Sequence, residues 1–167
     1  MRVALYQCPP LPLDVAGNLK RLHRLAHEAS GVDLLVLPEM FLTGYNIGAK
    51  AVGALAQAQD GDSAQTIAEL AQSAGLAILY GYPERAEDGQ VYNAVQLIDA
   101  NGHSLCNYRK SHLFGELDHG MFSAGGMAGA ALVALLLTTT TYLALRRGEM
   151  LTDAVPTRRL AGGTFAL

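Results

Sequence analysis

Five short runs of β-forming residues are interrupted by two amphipathic segments, and this alternation constrains the fold more than any other feature of the sequence. One run, Val32–Leu37, is apolar except for Asp33 and ends at Pro38, which is typical of a strand buried on both faces. The order strand, helix, strand, helix and then three strands predicts a layered α/β domain. The predicted strands are Arg2–Gln7, Val32–Leu37, Leu76–Tyr82, Val91–Ile98 and His103–Arg109.

Both amphipathic segments begin at residues that can cap a helix. Asp14 can accept a hydrogen bond from the first turn of a helix that continues to about Ser30. Asp62 or Ser63 can do the same for a second helix, which we expect to end near Gly75. Each segment repeats its apolar residues at helical spacing, so each helix should bury one face.

The composition excludes several classes of function. A chain of 167 residues is long enough for one domain with a buried core. The net charge of −3 gives no basic field that would attract nucleic acid. Two cysteines, Cys8 and Cys106, are too few for a disulfide framework, and the first residues run into a strand rather than a signal peptide. We therefore expect a cytoplasmic protein.

Two charged residues follow predicted strands and are candidates for chemistry. Glu39 comes just after a buried strand, at the edge where α/β proteins place their sites, and a buried glutamate can act as a general base. Lys110 follows the last predicted strand and could stabilise an oxyanion. Taken singly, each is better explained as an ordinary solvated residue. Together they predict that Glu39 and Lys110 lie within hydrogen-bond reach, although 71 positions (110 − 39) separate them.

Three long segments resemble the nitrilase superfamily of carbon–nitrogen hydrolases. They are LPEMFLTGYNIG, YGYPERAEDGQVYNAVQLIDANGHSL and NYRKSHLFGELDHGMFSAG, and the resemblance extends from Arg2 to about Gly125. It implies an α-β-β-α sandwich that hydrolyses a small amide, nitrile or related carbon–nitrogen bond without a cofactor. The predicted organisation is a nitrilase-like part at residues 1–125 and an unmatched apolar tail at 126–167, which is not an independent domain.

The resemblance also assigns roles to particular residues. Glu39 matches the general base, and Lys110 matches the lysine that polarises the tetrahedral intermediate. Glu116 is the predicted match for the second glutamate that holds this lysine in some members, with Asp118 as the alternative. His112 and His119 complete no metal-ligand pattern, so the site is expected to be free of metal.

The family's nucleophile, however, has no counterpart in this sequence. It is a cysteine at a strand-to-helix elbow beyond the lysine, and no cysteine follows Cys106. Cys106 lies inside a predicted strand and Cys8 ends another, so both are expected to be small buried hydrophobes. We therefore predict a sandwich truncated or abbreviated after the lysine loop and inactive as written. The alternative is a non-catalytic fragment or binding derivative, with a tail that could associate with membranes.

The tail leaves three interpretations open. Residues Met121–Leu145 carry no charge and are long enough to span a membrane, although the arginines beyond them would orient the chain unfavourably. Ala130–Leu137 could instead complete a shortened sandwich as a helix or strand. A reading-frame change is the third: the codons TGC-TAC-GAC for Cys-Tyr-Asp, read two bases late, give Leu-Arg and then a codon that begins with C, which is compatible with the order Leu-Arg-Arg at Leu145–Arg147. Because most of the second sheet is missing, self-association is also expected, with Ala130–Leu137 as the stickiest segment.

Overall fold

A computed structural model describes residues 1–29 and 31–126, together with the backbone of residues 158–160 and 163–165. The predictions for Ala130–Leu137 and Leu145–Arg147 lie outside the described residues, as does most of the uncharged stretch that begins at Met121. In the part of the chain that is described, no helix is long and apolar enough to cross a membrane.

The described elements form an α/β fold in the predicted order, with two short helices that the sequence did not predict. The strands are β1 (Val3–Leu5), β2 (Leu34–Val36), β3 (Ala77–Arg85), β4 (Val91–Ile98), β5 (Ser104–Arg109), β6 (Arg158–Leu160) and β7 (Gly163–Phe165). The helices are α1 (Val15–Glu28), α2 (Ala49–Leu55), α3 (Asp62–Ala74) and α4 (Gly115–His119). Helices α2 and α4 and strands β6 and β7 are additions to the predicted elements.

One mixed sheet contains the first five strands, and its topology determines which residues can meet. Its order is β1-β2-β3-β4-β5, with β1, β2 and β3 parallel to one another and β4 antiparallel to both β3 and β5. Strand β5 consequently runs in the same direction as β2, and the carboxyl ends of both strands reach the same edge of the sheet. Strands β6 and β7 form a separate antiparallel pair.

Helices α1 and α3 cover one face of this sheet. Asp14 caps α1 as predicted, since its carboxylate accepts a hydrogen bond from the Gly17 N–H at 2.8 Å. The apolar side chains between the helices and the sheet are fully buried, and each stabilises the fold by about 1.5–3 kcal/mol. Fully buried aliphatic examples are Leu22, Leu25, Leu35, Ile67 and Ile78.

The start of α3 differs from the prediction, whereas its end agrees. The N-cap is Gly61, and Asp62 is the first helical residue. The Ser63 N–H is satisfied by the side-chain oxygen of Gln57, at 3.1 Å, so neither predicted side chain is needed as the cap. Gly75 ends the helix with φ of +66°, a left-handed conformation that glycine adopts without a steric penalty.

The opposite face of the sheet is not fully covered within the described residues. Leu35 is fully buried, but its neighbours Leu34 and Val36 are only half-buried, so the prediction that this strand is buried on both faces is wrong for the described part of the chain. We call this surface the open face. Its partly exposed apolar side chains are Val3, Leu5, Leu34, Val36, Ala77, Leu79, Val95, Leu97, Cys106 and Tyr108.

Candidate active site

Glu39 is held in place by an unusual turn of the backbone directly after it. The chain leaves β2 through Pro38, and Met40, the residue after Glu39, has φ of +54° although it is not a glycine. This left-handed conformation is strained for a side chain with a Cβ, and strain of this kind concentrates at functional sites. Met40 tolerates it because its side chain is completely buried, in a cluster with Val52 and Phe122. The turn therefore fixes where Glu39 leaves the sheet.

A glycine on the neighbouring strand makes room for this turn. A Cβ atom on Gly81 of β3 would lie 2.5 Å from the backbone nitrogen of Met40 and 3.0 Å from the Cα of Glu39. The Leu42 N–H also donates to the Gly81 carbonyl at 3.2 Å, so the loop lies directly on the strand. Because the atoms in the way belong to the backbone, no rotamer change could relieve the contact.

We expect Gly81→Ala to displace the Glu39 loop and to lower the free energy of unfolding by about 2 kcal/mol, since overpacking at a rigid contact costs this much. Urea denaturation measures the loss. Gly53→Ala is the control, because the nearest atom to a Cβ there is the end of the Arg85 side chain at 4.0 Å. Equal stability of the two variants would contradict the close approach.

Lys110 meets Glu39 as the sequence predicted. It follows β5, and its backbone N–H donates to the Asn93 carbonyl at 2.8 Å. Its Nζ donates to Glu39 Oε1 at 3.0 Å, to Asp118 Oδ2 at 2.9 Å and to the Tyr45 hydroxyl at 3.4 Å. An ammonium group has three protons to donate, and each has an acceptor here. The predicted proximity of Glu39 and Lys110 is therefore confirmed.

The surroundings of Lys110 keep it charged. Burial alone would lower the pKa of Lys110, but hydrogen bonds to Asp118 and Glu39 outweigh it and raise the pKa well above the ordinary value. Burial likewise works to raise the pKa of Asp118, yet hydrogen bonds from Tyr45 and Lys110 hold that pKa below its usual range. The pair is thus an ammonium and a carboxylate at neutral pH.

Asp118 occupies the position that the sequence assigned to Glu116. The Asp118 side chain is fully buried; it accepts hydrogen bonds from the Tyr45 hydroxyl and from the Phe114 N–H, besides its contact with Lys110. Glu116 is exposed, and its carboxylate makes no hydrogen bond or ion pair to the described residues. The two carboxylates are two positions apart on α4, so they point in different directions. Asp118, the alternative that the sequence left open, is therefore the carboxylate that contacts Lys110.

The site also contains two polar residues to which the sequence assigned no role. Tyr45 contacts both Asp118 and Lys110, and burial raises the pKa of its hydroxyl, so it is a neutral donor. Asn93 donates from Nδ2 to Glu39 Oε1 at 2.7 Å. Both lie inside segments that resemble the nitrilase superfamily, Tyr45 in GYN and Asn93 in VYN, but only the folded chain shows which way their side chains point.

A cavity of about 440 Å³ adjoins these groups and is bordered by the open face. Its lining includes Glu39, Asn93 and Lys110 together with the apolar Val95 and Tyr108. Among residues 1–29 and 31–126 no three histidine, cysteine or acidic side chains group as a metal site, and His112 instead lies within hydrogen-bond distance of the Ser111 hydroxyl, at 3.0 Å. The arrangement offers a carboxylate and a cation to one small polar ligand.

Comparison with known proteins identifies the family of the chain. The carbon-nitrogen hydrolase family model matches residues 2–146. The chain belongs to the carbon-nitrogen hydrolase family.

The relatives of this chain include several amidases. A protein of Pseudomonas protegens described as "Hydrolase in pqqF 5'region" is 78% identical over 125 residues, which are 75% of this chain and 44% of that protein. An (R)-stereoselective amidase of a Pseudomonas species is 33% identical over 68% of this chain and 41% of its own. The chain thus matches less than half the length of these relatives.

A solved structure of an amidase resembles the fold of this chain and contains a covalently modified active-site cysteine. A mutant of the amidase from Nesterenkonia sp. AN1 is 28% identical, with a TM-score of 0.62 over 75% of this chain and 48% of that one. In that structure the acetamide moiety of fluoroacetamide is covalently added to the active-site cysteine. The nitrilase-like fold that the sequence implied is therefore confirmed for the described part of the chain.

Cys106 is not in a position to attack a carbonyl group bound at Lys110. Cys106 lies within β5, four residues before Lys110, which corresponds to about 13 Å along an extended strand. Burial also raises the pKa of the Cys106 thiol, so less of the reactive thiolate forms. Cys8 packs against the buried core beside α1 and the sheet.

Proposed function

We propose that residues 1–126 supply the general base and the carbonyl-polarising group of a site that hydrolyses the carbon–nitrogen bond of a small amide or nitrile without a cofactor. The observation that carries the proposal is the contact of Lys110 Nζ with Glu39 Oε1 at 3.0 Å, at one edge of the sheet and beside a cavity of ligand size. A base and a fixed positive charge at one carbonyl are what acyl transfer requires.

Each side chain has a distinct part in the proposed reaction. Lys110 remains an ammonium and lies where negative charge develops on the carbonyl oxygen. Asp118 and Tyr45 hold its Nζ in place, while Glu39 accepts protons. In the family's reaction a thiolate attacks the carbonyl carbon, ammonia leaves, and water activated by the glutamate hydrolyses the resulting thioester. This chain offers the groups that serve that sequence of steps but no suitably placed thiolate, so we propose that it is inactive as written.

A chimera tests the proposal and the substrate class together. Residues 1–125 of this chain would be joined to the remaining C-terminal part of the P. protegens hydrolase, which is 78% identical over the shared region. We expect the chimera to release ammonia from short amides or nitriles, and the panel member with the highest kcat/KM identifies the substrate class. A folded chimera that releases ammonia from neither class would contradict the proposal.

For this chain alone we propose self-association through the open face rather than binding of nucleic acid or membrane. Ten partly exposed apolar side chains lie together on this face, and a contiguous exposed apolar patch is typical of an association surface. Leu97 lies on β4 near the middle of this face, so we expect Leu97→Lys to increase the monomer fraction in sedimentation velocity. A cytoplasmic location likewise remains a prediction.

The control for this experiment is Gln59→Lys, which adds the same charge at an exposed loop position away from the open face. It should leave the sedimentation profile of the parent chain unchanged. A parent chain that sediments as a single monomeric species and melts cooperatively would contradict the expected association.

A further inference from the structure

Asn93 is a buried amide that makes one specific contact with the candidate base. Its side chain is 4% exposed, and Nδ2 lies 2.7 Å from Glu39 Oε1. A carboxylate can only accept hydrogen bonds, so the amide must present its nitrogen here and its orientation is fixed. A hydrogen bond to an ionised acceptor is roughly twice as strong as one between neutral groups.

The two oxygens of Glu39 have different surroundings as a result. Oε1 accepts from Asn93 and from Lys110, at 2.7 and 3.0 Å. Oε2 has no hydrogen-bond partner in the part of the chain that the structure describes. The Glu39 side chain is half-exposed and lines the cavity, so the unbonded oxygen is the one available to a ligand.

The sheet couples the two donors to each other. Ala94 of β4 pairs with Arg109 of β5, and the Lys110 N–H donates to the carbonyl of Asn93. Asn93 and Lys110 therefore occupy facing positions of one antiparallel ladder, which fixes the spacing of their side chains. Glu39 reaches both across β3, where Gly81 permits the close approach.

We propose that Asn93 is a positioning residue for Glu39: it holds Oε1 together with Lys110 and leaves Oε2 as the oxygen that exchanges protons with the reacting water. This inference rests on the proposed function of Glu39 as general base. Without Asn93, Lys110 alone would hold a half-exposed carboxylate that is free to rotate toward solvent. Asn93 does not itself touch the substrate.

Carboxyl labelling with a water-soluble carbodiimide and glycine ethyl ester, read by peptide mass spectrometry, tests the proposal in the chain as it exists. Glu116 is the internal reference because it is exposed and its carboxylate has no hydrogen-bond or ion-pair partner among the described residues. We expect Asn93→Ala to increase the labelling rate of Glu39 relative to Glu116 roughly tenfold, the change that corresponds to losing one hydrogen bond to a charged group.

Asn107→Ala is the matched control, since Asn107 Nδ2 donates to the buried Glu84 carboxylate at 2.6 Å, away from the Glu39 site. It should leave the labelling of Glu39 unchanged. Asn93→Asp keeps the shape of the side chain but replaces the donor by a carboxylate that repels Glu39. It should also increase the labelling rate of Glu39, and it serves as the test if the alanine variant unfolds.

An unchanged Glu39-to-Glu116 labelling ratio in a folded Asn93 variant would overturn the proposal. So would an equal increase in the Asn107→Ala variant, because the effect would then be general loosening. The labelling requires no turnover, so its outcome is independent of whether the chain or its chimera hydrolyses an amide.

Discussion

The purified chain should hydrolyse short amides and nitriles at least about 10⁶-fold more slowly in kcat than a complete family enzyme. Removing only the attacking group of a nucleophilic enzyme costs about this factor, because the remaining groups act around it. Glu39 and Lys110 without a thiolate can bind a carbonyl group and polarise it, but no covalent intermediate forms. Ammonia release from a panel of short amides and nitriles measures the rate.

Two sets of variants identify what any residual activity would mean. Turnover that disappears in Cys106→Ala would show that this thiol is the nucleophile despite its position about four residues along the strand from Lys110. Turnover that survives Cys106→Ala and Cys8→Ala but disappears in Glu39→Gln would indicate direct attack by water. Either result would contradict the account that the nucleophile is absent from this chain.

Replacing Asp118 by asparagine should lower the free energy of unfolding by about 3 kcal/mol at pH 7, because it leaves the mostly buried Lys110 ammonium without its closest carboxylate. The pKa of Asp118 is lowered below 3.8 in the folded chain, so the stabilisation is present above that pH and is lost as the pH falls through the folded value. The pKa of Lys110 is raised above 10.5, so the stabilisation that its charge contributes is complete below that pH and is lost only as the pH rises through the folded value.

Urea denaturation of the parent and Asp118→Asn from pH 7 down to pH 3 measures this dependence, and the difference in stability should shrink toward the acid end. Asp60→Asn makes the same chemical change at an exposed carboxylate, and it should alter stability by no more than about 0.5 kcal/mol at any pH. A loss for Asp118→Asn that is equally large at pH 3 and pH 7 would mean that the ion pair is not its source.

The order of the main elements and the meeting of Glu39 with Lys110 were predictable because they depend on local patterns. Apolar runs and the Asp14 cap mark the strands and α1, and residues that follow parallel strands share an edge of the sheet. The short α2 was not predicted because it buries only Val52, which leaves too weak an apolar pattern for recognition.

The partners of the two charged residues could not be predicted in the same way. Glu116 and Asp118 are both acidic and two positions apart, and only the turn of α4 determines which one faces Lys110. Asn93 could point to either face of its strand until the register with β5 is known. The burial of β2 was overestimated for a related reason: an apolar run does not show whether a second layer covers the sheet.

The chimera described above tests most directly whether residues 1–125 carry the acid–base half of a hydrolase site. We predict that Glu39→Gln lowers its kcat at least about 10²-fold, the usual contribution of a general base, while its melting temperature stays within the range of the parent. Glu116→Gln makes the same change at the exposed glutamate of α4 and should retain the parent rate. A folded Glu39→Gln chimera that hydrolyses its best substrate as fast as the Glu116→Gln chimera would contradict the account.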